Sequence, residues 1–205
     1  GSVTFEVQDT PAIVAAAKAA GAITVADNTW ATPMAPSPTT LGVDVVLHAI
    51  TKYIGGHSDL MLGTVSANQQ TVQRLKDTAY GMGLCVGPDD MNLGLRGLRT
   101  LAVRLARHYQ SGVTVAKWFE QRPEVLKVFH PALPSHPGHA IWKRDYTGAC
   151  GLFAIVLKPV PEKAVLAFLN GLSLYGMGAS WGGFESLAIP YDVHDYRSAT
   201  KFEPG

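Results

Sequence analysis

The chain has 205 residues, 47% of them hydrophobic and 16% charged, and a formal net charge of +1. That length suits one large domain or one and a half small ones with ample apolar residues for a core. The near-neutral balance offers no basic face for nucleic acid and no acidic tail, and no apolar run approaches the ~20 residues of a membrane span.

The opening GSVTFEVQDTP lacks the basic and apolar regions of a secretory signal. Residues 11–20 (PAIVAAAKAA) predict a helix, with Pro11 in the first turn, alanine throughout and Gly21 as the stop. Residues 22–26 predict a short buried strand ended by the polar Asp27-Asn28-Thr29 cluster. The proline-rich stretch from Pro33 to Pro38 predicts a loop. Strands are expected at 43–50 (VDVVLHAI) and 61–68 (MLGTVSAN), and this mixture of strand and helix points to an α/β layer. Helical patterning returns from Thr71 to about Tyr80. It returns again in a long helix from about Pro88 to Arg122, with interruptions expected at Gly94, Gly97 and Gly112. Arg96, Arg99, Arg104 and Arg107 recur along that helix, and each reads most simply as part of a solvated or salt-bridged face. Residues 130–142 (HPALPSHPGHAIW) read as a loop dense in Pro and His; 151–158 (GLFAIVLK) predict a strand and 161–172 (PEKAVLAFLNGL) a helix. A second domain is therefore expected to begin near 125–150. The two cysteines, Cys85 and Cys150, show neither metal spacing nor the density of a disulfide scaffold. A reduced, cytoplasmic protein is the default expectation.

Asp27 and Lys52 form the pair most suggestive of chemistry. Lysine is strongly hydrated, so one that follows an apolar run and leads into Gly55-Gly56-His57 asks for a reason. Desolvation weakens an ammonium's preference for charge and makes the amine a nucleophile towards an aldehyde, as a Schiff base with pyridoxal phosphate requires. That cofactor also needs an acidic partner for its ring nitrogen, which Asp27 could supply from the end of the preceding strand. On spacing alone the plainer reading, a strand-end Asp and a snorkelling Lys, is favoured. Other motifs fail. His57-Ser58-Asp59 are chain neighbours and cannot form the spatial relay of a hydrolase. His136-Pro137-Gly138-His139 is kept off a helix by its proline and glycine, and no Cys or carboxylate pair completes a zinc set. Gly55-Gly56 is too short for a nucleotide loop and fits a tight turn after the lysine.

The words around the pair change that balance. DNTWATP, HAITKYIGGHSD, GLRTL, HPALPSHPGHAIWKRD, GACGLFAIVLK and SWGGFESL, in this order, resemble the pyridoxal-phosphate enzymes of cysteine and methionine metabolism. Within that family they are most similar to the bacterial cystathionine β-lyases. The likeness runs nearly the whole chain, from VTFEVQDTPAI to the last residues. Many members carry Ser three residues before the lysine; Ala49 here is the β-lyase choice.

The resemblance implies a type I pyridoxal-phosphate-dependent transferase-like fold: a three-layer α/β/α sheet domain followed by a smaller α+β domain, both incomplete. Residues 1–125 would be the second part of the large domain with its connecting helix, and 126–205 a partial C-terminal domain. It implies a Schiff base on Lys52, with Lys52 as the base at the substrate Cα, Asp27 at the ring nitrogen and Thr51 donating to the phosphate. Thr51 also reads as a plain β-branched strand residue. Trp30 is a candidate for the cofactor edge, beside the plainer reading of a core aromatic. Ser180 and Trp181 resemble the substrate wall, although a strand-end turn also explains SWGG. Tyr80 resembles a tyrosine closing the distal side of the pocket, with a helix-face core tyrosine as its other reading.

The implied reaction is carbon–sulfur β-elimination, in which L-cystathionine gives homocysteine, pyruvate and ammonia in methionine biosynthesis. The implied assembly is a homotetramer of paired dimers. Sister activities remain open: cystathionine γ-lyase or γ-synthase, methionine γ-lyase and cysteine desulfhydrase. So does a non-catalytic scaffold. The scaffold reading rests on length, because the family's chains are about twice as long. The phosphate loop and ring-stacking tyrosine are expected upstream of this segment, and the arginine for the substrate carboxylate just beyond KFEPG.

Overall fold

In a computed structural model, residues 1, 3–35, 37–193 and 201–202 are described, so most of the closing stretch and KFEPG beyond Phe202 lie outside the described residues. Helix α1 spans Thr10–Ala19; the Asp9 carboxylate accepts from the Ala12 amide at 3.2 Å, and Gly21, at φ +67°, ends the helix. Strand β1 is Val25–Asp27, β2 is Val45–Ala49 and β3 is Gly63–Ala67. They form one sheet in the order β1-β2-β3, with β1 parallel to β2 and β3 antiparallel to it. Asp44 pins the entrance of β2: its carboxylate accepts from the Thr24 amide and hydroxyl and from the Asn68 amide group, which holds its pKa below the ordinary carboxylate value. Val14 of α1 packs on Val43 and Val46 beneath this sheet.

Helix α2 is Val72–Gly81 and α3 is Pro88–Glu120. A second sheet pairs β4 (Val125–Phe129) with β5 (Ala154–Leu157) antiparallel, bulged between Val125 and Lys127. Helix α4 (His139–Asp145) and helix α5 (Glu162–Asn170) accompany it, and β6 (Gly176–Met177) pairs with β7 (Leu187–Ala188). Along α3, Leu101 packs on Tyr53 and Ile54 after β2, while Ala116 packs on Val128 of the second sheet and on Leu133 in the loop after β4. The long helix is the spine that joins the two sheets.

Three expectations need correcting. The first strand is not a buried run over 22–26: it begins at Val25, and Ile23 and Val25 are 56% and 61% exposed, because β1 is an edge strand. Helix α3 is not interrupted by its glycines. Gly94, Gly97 and Gly112 are buried contact points; a Cβ at Gly112, for example, would lie 2.8 Å from the Gly151 backbone. Propensity reads these glycines as breaks, whereas packing uses them for close approach. The segment 130–142 is loop only as far as Gly138, where α4 begins.

Candidate active site

The parallel register sets Asp27 opposite Leu47, so β1 and β2 end side by side and release Asp27 and the Lys52 turn at the same edge. The two ends are stitched together. The Asn28 amide donates to Leu47 O at 2.9 Å, and the Ala49 amide donates to the Thr29 hydroxyl at 2.9 Å. Asn28 Nδ2 donates to Thr32 O and also contacts His48 Nε2 at 3.2 Å. An amide nitrogen cannot accept, so His48 Nε2 is the acceptor and its proton sits on Nδ1. Burial lowers the His48 pKa against the pull of Asp27, which keeps the ring in this neutral form. Asp27 Oδ1 accepts from the Thr29 amide at 2.9 Å, and among the described residues Oδ2 makes no hydrogen bond.

After β2 the chain makes a single wide turn, Ile50–Ile54, in which Lys52 has non-helical backbone angles (φ −91°, ψ −124°). The Gly55 amide closes on Ile50 O at 2.7 Å and the Gly56 amide on Lys52 O at 2.8 Å. Tyr53 and Ile54 anchor the turn in the core. Burial, and after it the Cys150 thiol, pushes the Tyr53 phenol up, so it stays protonated and accepts from the Gly151 amide at 3.3 Å. The turn is enclosed from two sides at backbone distance. A Cβ on Gly97 of α3 would overlap the Ile54 and Gly55 carbonyls, and one on Gly182, at φ +78°, would lie 2.6 Å from Tyr53 N.

That second approach brings Ser180-Trp181-Gly182-Gly183 onto the lysine. Lys52 Nζ donates to Ser180 Oγ at 2.9 Å and lies 4.4 Å from the Trp181 ring centroid. Trp181 meets Trp30 edge to face at 6.0 Å, and Trp30 stacks on Phe5 at 4.8 Å. The Ser58 hydroxyl, on a residue with φ +56°, donates to Glu185 Oε2 at 2.6 Å and fastens the same loop. Left-handed backbone at this non-glycine residue is local strain held by its surroundings.

Lys52, Asp27, Ser180, Trp181 and Trp30 therefore gather at one edge. Thr51 lies there too, but its hydroxyl donates to Leu62 O and accepts from the Leu62 amide, tying the turn to the chain entering β3. It reaches a phosphate only by exchanging that donor bond. Tyr80 stands apart: on α2 it is 77% exposed, which overturns its reading as a core tyrosine, and it makes none of the contacts that gather the others. Sequence reasoning missed Asn28, Thr29, Gly182 and Glu185, and it read Arg104 as surface. The repeated Gly-Gly after Trp181 was the available signal for close approach.

The chemistry of this set fits pyridoxal phosphate. The half-buried Lys52 amine has a neutral hydroxyl and an aromatic face as neighbours, with no carboxylate in ion-pair range among the described residues. An amine so placed is free to react with an aldehyde, and the open oxygen of Asp27 can take a ring N–H. No group of three metal-binding side chains is present among the described residues.

Comparison with known proteins agrees with this geometry. The model of the family described as "Cys/Met metabolism PLP-dependent enzyme" matches residues 1–202. A protein of Rhizobium johnstonii is 53% identical over 199 residues, 95% of this chain and 50% of its own. Cystathionine beta-lyase MetC of Escherichia coli is 47% identical over 192 residues, 92% of this chain and 49% of its own. Among solved structures, cystathionine gamma synthase from Xanthomonas oryzae pv. oryzae in complex with aminoacrylate and cysteine superposes with a TM-score of 0.87. It is 39% identical and covers 91% of this chain and 48% of its own. The chain spans about half the length of the curated relatives it matches.

Proposed function

The chain belongs to the Cys/Met metabolism PLP-dependent enzyme family, and we propose that the protein carrying it is a carbon–sulfur β-lyase that cleaves L-cystathionine to homocysteine, pyruvate and ammonia. The observation that carries this reading is the Lys52 amine held between Ser180 and Trp181 at the strand edge that also presents Asp27. Pyridoxal phosphate, when bound, supplies the electron sink for the pair of electrons left at the substrate Cα.

The residues of the chain do the rest. Lys52 Nζ would anchor the cofactor, and its free amine would take the Cα proton. Asp27 Oδ2 would hold the proton on the cofactor's ring nitrogen. Ser180 Oγ, now bonded to the amine, turns to the substrate carboxylate, and the Trp181 face lines the side where the substrate lies and limits water there. The β-carbon–sulfur bond then breaks with its electron pair on sulfur; homocysteine leaves as thiolate and takes up a proton. Hydrolysis of the three-carbon remainder gives pyruvate and ammonia. By family resemblance, Thr51 serves the phosphate and Tyr80 closes the distal side of the pocket, while Trp30 backs Trp181 at the cofactor edge.

The same reading divides the chain at residue 125, supported by the change of sheet at β4. It makes the protein a cytoplasmic homotetramer of paired dimers, supported by its family; sedimentation of the protein checks the assembly. No helix among the described residues is long and apolar enough to cross a membrane. The test of function is an absorption spectrum with pyridoxal phosphate, then borohydride reduction and peptide mapping. An adduct on Lys52 and pyruvate from cystathionine support the reading. Production of 2-oxobutyrate instead would favour γ-elimination, the sister chemistry that the likeness to a gamma synthase keeps in view. No adduct at all would leave a non-catalytic scaffold.

A further inference from the structure

The wide turn at Lys52 leaves two carbonyls behind. The chain departs at Gly56 with φ +76°, and among the described residues no backbone amide reaches Tyr53 O or Ile54 O. Both are taken by one side chain. Arg104 Nη1 donates to Tyr53 O at 2.7 Å, and Nη2 donates to Ile54 O at 2.9 Å and to Gly97 O at 2.7 Å. Its Nε donates to the Thr100 hydroxyl at 2.9 Å, one helical turn back on α3. A Cβ on Gly56 would overlap the guanidinium, so this glycine supplies the turn and the room for the arginine together.

We propose that Arg104 is a positioning residue for the Lys52 amine, fixing the peptide planes that follow the lysine so that the side chain leaves the turn in one direction. The inference rests on the reading of Lys52 as the cofactor lysine. The glycine contacts at Gly97 and Gly182 exclude space but set no direction, whereas hydrogen bonds to two successive carbonyls fix the rotation of the peptides they bind. A planar fork with five donors can hold three carbonyls and a hydroxyl at once; an ammonium cannot match that geometry. A small displacement of a reacting group, produced by a change away from the chemistry, can lower turnover about a hundredfold.

The experiment uses the protein carrying this chain, loaded with pyridoxal phosphate. In R104K the charge stays and the fork is lost. Expected are native far-ultraviolet circular dichroism, a kcat lower by about a hundredfold with KM changed by less than about threefold, and a weakened visible circular dichroism band of the bound cofactor. A purely structural arginine would lower Tm and leave kcat per adduct site and that band unchanged, which overturns the proposal. Should R104K not fold, Thr100→Val decides the matter: it removes the Nε partner and the Thr100 hydroxyl's own bond to Gly97 O at 3.2 Å, and leaves the guanidinium its three carbonyls. A several-fold fall in kcat with a weakened band supports the proposal, and wild-type values for both overturn it. If the unaltered protein shows no borohydride adduct on Lys52, the functional reading fails and the inference falls with it.

Discussion

The turn that carries Lys52 and the helix that carries Tyr80 follow successive strands of one sheet, yet they are built in opposite ways. Around Lys52 the chain closes on itself: α3 presses Gly97 and Arg104 on one side and the loop after β6 presses Gly182 on another, while Tyr53 and Ile54 root the turn in the core. Helix α2 buries no residue, and Tyr80, Met82 and Leu84 are 77%, 67% and 62% exposed. The place of Lys52 is thus a property of this chain's own packing, and the place of Tyr80 is not. Substitutions at the two ends should therefore separate into changes felt by the fold and chemistry together and changes felt by neither or by chemistry alone.

The largest effect is expected at the lysine. In K52A the borohydride adduct should disappear and turnover should fall by at least roughly a thousandfold, since anchor and base are removed together; retained turnover would break the assignment. D27N should follow, with a loss on the order of a hundredfold in kcat while the cofactor still binds, because an amide cannot hold a charged ring nitrogen as a carboxylate does. Equilibrium binding and steady-state rates on the same preparation separate the two effects.

The enclosure itself is tested by G97A. The added methyl meets the Ile54 and Gly55 carbonyls, so a loss of ~1–3 kcal/mol is expected in denaturant unfolding. Acid probes the far end of the same spine. His136 is 4% exposed, and its pKa is pulled down to about 4, first by burial and then by His130 and Lys127, against the opposite pull of Glu6. The folded state thus resists the proton that the unfolded chain accepts near the ordinary value of 6.5. The contribution is fully present above that value and is lost as pH falls towards 4, up to about 3 kcal/mol. Unfolding curves between pH 7.5 and 4.5 should show this slope, and H136N should flatten it.

Much of this was readable from residue order, for reasons particular to each part. The α1 helix, the strands entering and leaving the lysine and the Asp27–Lys52 pair announce themselves through periodicity, stop residues and an ill-placed charge. Arg104 did not, because an arginine on a mostly exposed helix reads the same whether its fork meets water or carbonyls. The glycines of α3 misled for a related cause: local propensity scores the missing side chain, while the gain lies in backbone contacts from elsewhere in the chain. The phosphate role of Thr51 comes from the family resemblance alone, and its bond to Leu62 is visible only once β3 turns back beside β2. Contacts between distant segments are what one-dimensional patterns cannot carry.

The smallest effects are expected on α2. A Cβ at Gly81 meets nothing within 4 Å and the position has no left-handed backbone requirement, so G81A should stabilise by at most ~0.5–1 kcal/mol through helix propensity. Y80F should leave stability within about 0.5 kcal/mol, as expected for a surface substitution without a buried partner. Its turnover is the informative quantity. A fall in kcat/KM with unchanged stability would mean that Tyr80 reaches the pocket only in the working protein, with α2 held by something other than this chain's core. Unchanged turnover would remove Tyr80 from the machinery. A stability loss like that of G97A would erase the contrast, since α2 would then be as firmly built in as the lysine turn.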